Sequence, residues 1–163
     1  MGLSLEFHRG DSATIRQAIT AGRSRWFRDP ILVSHSADFS LHIEPADLDL
    51  LSETIGKVLR HTPRKLRPSL TPTVDTKLGG VLAVAPEWVT YVAEVQGLRP
   101  LHEIVSKQDL VAEVATGWAS AMRLKHAEDV PVTEAMRTAI SRLVELCAVA
   151  HASKGEVFHI WYL

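Results

Sequence analysis

Glu156-Val157-Phe158-His159-Ile160-Trp161-Tyr162-Leu163 is the stretch whose reading decides the fold. Successive residues of an extended chain point to opposite faces, so Val157, His159, Trp161 and Leu163 share one face while Phe158, Ile160 and Tyr162 share the other. Neither face is polar enough to meet water, which predicts an interior strand of a sheet. A final strand that must be buried implies in turn that residues 1–163 form a single globular domain with its functional surface elsewhere.

Working back from that strand, Lys154-Gly155 ends a helix that Thr133 caps, and Met136, Ile140, Leu143, Cys147 and Ala150 recur along it at helical spacing. Ser106 with Asp109 resembles a capping box ahead of Leu110, Val114, Trp118 and Met122, the apolar stripe of a long helix. Residues 86–95 fit a helical stripe (Trp88, Val92, Val95) and also a β-rich alternation. Pro86 at the start and Gly97 after the end favour the helix. Pro45 opens a further helix with Leu48, Leu51, Ile55 and Val58 on one side, Asp47 and Asp49 near the positive end of its dipole and Lys57, Arg60 and His61 near the negative end.

Two alternating segments precede it. Leu3, Leu5 and Phe7 read as inward, with Ser4, Glu6 and His8 on a wet face, and Asp38 to Ile43 reads as a strand with Phe39, Leu41 and Ile43 inward. A short helix with Ile15, Ala18 and Ile19 on one side follows the first of these strands, and residues 23–36 read mostly as loop. Residues 63–72 read as a proline-rich basic connection, and Gly79-Gly80 breaks the chain before Val81-Leu82-Ala83-Val84. The expected architecture is α+β: one mixed β-sheet of about four strands packed with about four to five helices, the C-terminal strand interior.

At 46% hydrophobic and 23% charged, the 163 residues suffice for a sizeable core. A net charge of -1 supplies no global field toward nucleic acid or anionic lipid. The single cysteine, Cys147, rules out a disulfide within the chain, and its place on an apolar stripe suits packing better than nucleophilic chemistry. No signal peptide and no apolar run long enough for a bilayer is visible, so the chain reads as soluble and cytoplasmic. Neither a dinucleotide fingerprint, a phosphate-binding loop nor a nucleophile elbow is present.

Three clusters remain as candidate surfaces. Arg25, Trp26 and Arg28 combine the residue types favoured at the centres of protein interfaces. Lys57, Arg60, Arg64, Lys65 and Arg67 form the densest run of cations, suited to an acidic protein face or phosphates, or simply to a solvated helix end. His35, Asp38 and His42 carry the ligand types of a divalent metal, although on one strand Asp38 and His42 stand about 13 Å apart, so a bend is needed to bring them together. His159 is the discordant residue of the final strand: a paired core imidazole, a sign of an exposed strand face, or a pocket residue.

Together these readings favour a non-enzymatic protein-binding domain in which Arg25, Trp26, Arg28, Arg60, Arg64, Lys65 and Arg67 are the candidate contacts, of the kind that immunity and antitoxin proteins exemplify. The alternative is a small metal-dependent or small-molecule enzyme at His35, Asp38 and His42. A weaker one is phosphate or nucleic-acid binding through residues 57–67. No cofactor is expected, the expected partner is another protein, nucleic acid and membrane are disfavoured, and homo-oligomerisation stays open.

Overall fold

The computed structural model describes residues 4–11, 13, 15, 36–41, 43–76, 79–96 and 107–162. Five strands, β1 (Ser4–Gly10), β2 (Ser36–Asp38), β3 (Leu70–Thr76), β4 (Gly79–Val84) and β5 (Glu156–Tyr162), form one sheet in the order β2-β1-β5-β4-β3. Four helices among the described residues accompany it: α1 (Pro45–Leu59), α2 (Pro86–Ala93), α3 (Lys107–His126) and α4 (Glu134–Ser153). The fold is α+β as expected, and the strand nearest the C-terminus is the central one. Every pairing is antiparallel, in place of the mixed sheet expected.

The fifth strand is β3, whose first three residues, Leu70 to Pro72, fall in the expected proline-rich connection and whose remainder the sequence pattern leaves unassigned. An edge strand tolerates a proline, since a missing N–H there removes no interior ladder bond, and the register shift between Pro72 and Val74 marks the accompanying irregularity. The strand expected over Asp38 to Ile43 instead lies at Ser36–Asp38. It stops where the Asp38 carboxylate accepts the Ser40 N–H at 2.8 Å, a side-chain turn that competes with the ladder.

One face of the sheet carries Leu5, Phe7, Ala37 and Val157 into the main core with the helices. There Phe7 lies between the rings of Trp88, 5.8 Å away and nearly parallel, Phe39 at 5.6 Å edge-on, and His159 at 4.8 Å. The opposite face buries Val81, Phe158 and Ile160 with Ile15. Both faces of β5 are thus covered, and the same covering corrects the reading of β1: His8, expected on a wet face, is 3% exposed.

Residues 86–93 are helical, continuing into a short 3-10 turn at Glu94–Gln96. The start of α4 follows its expected cap, with the Thr133 hydroxyl accepting the Met136 N–H at 3.2 Å. At its end the left-handed residue is Lys154 (φ 51°), immediately before Gly155. Ser106 and most of the short helix expected around Ile15, Ala18 and Ile19 lie outside the described residues. None of the described helices is long and apolar enough to cross a membrane.

Candidate functional site

Of the candidate surfaces, Arg25, Trp26, Arg28, His35 and His42 lie outside the described residues. Asp38 is described, and one carboxylate oxygen is committed to Ser40. The basic segment is fully visible and folds back on α1. Arg67 gives both its backbone N–H, at 2.9 Å, and its guanidinium to Asp49, whose residue is 4% exposed. Lys65 meets Glu53 at 3.4 Å, and His61 meets Glu94 at 2.9 Å.

Beneath them a buried network fixes the backbone. The Ser52 hydroxyl donates to the Arg64 carbonyl and accepts the Trp88 indole N–H at 2.8 Å, while the Tyr91 hydroxyl donates to the Ser52 carbonyl. Gly56 leaves room for this approach, because a Cβ there would collide with the Pro63 backbone and the Tyr91 hydroxyl. Arg60, Arg64 and Lys57 form no ion pair among the described residues and stay exposed. Two of the predicted contact cations, Lys65 and Arg67, therefore hold this segment in place.

The interior groups have structural work. The His159 Nδ1 lies 3.2 Å from the Glu6 carbonyl, and burial pushes the imidazole down to about 4, so it is a neutral, paired core residue at neutral pH. Cys147 is completely buried, and burial pushes its thiol up, away from the reactive thiolate. His151, one turn beyond it, pairs with the Thr90 hydroxyl at 3.0 Å instead. On the second sheet face, Glu6 receives the Tyr162 hydroxyl at 2.8 Å and contacts the His8 Nε2 at 2.7 Å. Burial, reinforced by the Glu6 and Asp38 charges, pushes the Tyr162 phenol up to about 12.

A concave feature among the described residues joins the start of α1 to the end of α3. Pro45 opens α1, and three residues into it the Asp47 carboxylate turns back to accept the Glu44 N–H at 2.8 Å, half of a capping box. Its other oxygen accepts from Lys125 Nζ at 2.8 Å and lies 2.9 Å from His126 Nε2; Lys125 also reaches Glu44 at 2.9 Å. Trp118 ties the same place down by donating its indole N–H to the Asp47 carbonyl at 2.8 Å. A cleft of about 540 Å³ opens beside this cluster. Its apolar lining is Leu41, Ile43, Met122, Val130, Pro131 and Met136, and its polar lining includes Ser40, Glu44, Asp47, His126 and Glu128.

No family model, curated protein or solved structure matches this chain. Glu44, Asp47 and His126 bring ligand atoms within 4.8 Å of one another, the spacing of a metal site. The Lys125 ammonium already bonds both carboxylates, so a metal would have to expel it. The cluster accordingly works as a clamp between two helix ends, with the cleft beside it.

The clamp also holds the Asp47 charge. Burial is the largest single influence and pulls its pKa up, but the bonds from Lys125, the Glu44 N–H and His126 together outweigh it and leave the pKa below the ordinary 3.8. Lys125 is held above its ordinary 10.5, chiefly by the bond to Asp47. A lowered carboxylate stabilises the fold fully above its unfolded pKa and loses that contribution in acid; a raised ammonium loses its contribution only as pH climbs through the folded value. Asp47→Asn is therefore expected to cost about 1–3 kcal/mol in urea unfolding at neutral pH. The difference from the native protein should shrink below about pH 4 and above about pH 10. A cost independent of pH would remove the ionic account.

Proposed function

We propose that this chain is a non-enzymatic protein-binding domain that engages its partner through the cleft beside Glu44 and Asp47, and that binding neutralises the partner, as immunity and antitoxin proteins do. The observation that carries this reading is the lining of that cleft: an apolar floor with charged groups at its edge, the anatomy of a protein interface. The chain's two methionines beyond Met1, Met122 and Met136, both line it. Both belong to the main core, so they floor the cleft from beneath with polarizable thioethers. The arginines left exposed on the basic segment, Arg60 and Arg64, are secondary contacts in this reading, while Lys65 and Arg67 serve the fold.

Ser40 lines the cleft and is exposed, so Ser40→Trp fills the space without disturbing the core. The native protein is expected to retain a partner in stoichiometric amount from extracts of its source cells, and Ser40→Trp to retain about tenfold less at unchanged melting temperature. Equal recovery by the variant, recovery of no partner, or turnover of a substrate by the purified native protein would overturn the proposal.

A further inference from the structure

We infer that the occupant of this cleft is a short segment of the partner in which an apolar side chain is flanked by lysine or arginine. The inference rests on the protein-binding reading and adds the chemistry of what is bound. Three carboxylates, Glu44, Asp47 and Glu128, line the cleft, and no lysine or arginine does so among the described residues. Among the described residues, the single further titratable group of the lining is the His126 imidazole.

The clamp shows which ligand chemistry these acids accept. The Lys125 ammonium sits 2.8 Å from Asp47 and 2.9 Å from Glu44, so an alkylammonium already fits between them. Lys125 satisfies only part of that demand. The Glu44 side chain is 67% exposed, and a carboxylate has about four lone-pair sites, so Glu44 retains capacity for a second cation. Glu128 is exposed and forms no ion pair among the described residues. An incoming guanidinium can meet either acid with two parallel bonds.

Apolar area from Met122, Met136 and Val130 lies beside those acids, so a cation alone leaves the floor unfilled. A segment presenting both chemistries buries the floor and neutralises the rim together. An acidic segment, or a phosphate backbone, would place like charge against Glu44 and Glu128.

The test is selection of a displayed library of random short peptides on the native protein, with the enriched peptides then measured in solution. Enrichment of sequences with lysine or arginine beside leucine, methionine or phenylalanine is expected. Their binding should weaken as salt is raised, and should fall about tenfold in Glu128→Lys, with Glu128→Gln intermediate and all three proteins melting alike. Enrichment of acidic or uncharged peptides, binding indifferent to Glu128→Lys, or no enrichment overturns the inference. Those outcomes leave the protein-binding reading standing, because recovery of an intact partner by the native protein and its loss in Ser40→Trp decide that separately.

Discussion

Removal of residues 160–163 is expected to abolish cooperative folding rather than trim a loose end. The deleted segment supplies the pairings of Ile160 with Glu6 and Val81, of Trp161 with Leu5 and Gly80, and of Tyr162 with Ser4 and Gly79. β1 and β4 each lose three of these pairings at once, because β5 stands between them. Ile160 is 4% exposed, and truncating one such side chain to alanine already costs about 2–5 kcal/mol. Adding Trp161, the Tyr162 bond to Glu6 and the severed ladder exceeds the roughly 5–15 kcal/mol that typically holds a protein folded. Loss of the thermal transition and of near-ultraviolet circular dichroism is the expected result. A truncated protein that melts normally would contradict the central placement of β5.

His159 should make the protein acid-sensitive well above the range of its carboxylates. In the folded state burial holds this imidazole neutral with a pKa of about 4, against an ordinary 6.5. Unfolding therefore takes up a proton between those values. The stabilising preference for the neutral form is fully present above pH 6.5 and declines as pH falls toward 4, at about 1.4 kcal/mol per unit, or about 3 kcal/mol in all. The lowered pKa of Asp47 keeps its own acid loss below this window. His159→Phe keeps a ring against Phe7 and gives up the bond to the Glu6 carbonyl, so it should be about 1 kcal/mol less stable at neutral pH and nearly flat from 6.5 to 4. Urea titrations across that window decide the matter: parallel decline of both proteins would mean that the slope arises elsewhere.

The sequence made the centre of the sheet legible because β5 is apolar on both faces, the pattern of a strand covered on both sides. It also marked α1 and α4, where Pro45, Thr133 and the apolar spacing agree on where each helix begins. β3 escaped because Pro72 looks the same in a loop and in an edge strand until the neighbours are known. The wet face assigned to Glu6 and His8 failed for a related reason: alternation identifies two faces but does not reveal that Ile15, Phe158 and Ile160 make the second face a core of its own. The cleft was the least legible part. Asp47 reads as a charge favourable to a helix start, and nothing local announces that Lys125, 78 residues away, will share its carboxylate. In the basic run, the acids that engage Lys65 and Arg67, Glu53 and Asp49, belong to the preceding helix, a pairing that the run itself does not announce.

The strand at the middle of the sheet is also the last of the five to be synthesised. Until it leaves the ribosome, β1 with β2 and β3 with β4 are separate pairs, and the inner edges of β1 and β4 have no strand to bond. Closure brings Ser4 beside Tyr162, a joining of distant segments that slows folding and prolongs exposure of unsatisfied edges. Productive assembly of this sheet consequently waits for β5, and the interval before β5 arrives is when the earlier strands are most open to chaperones and to aggregation.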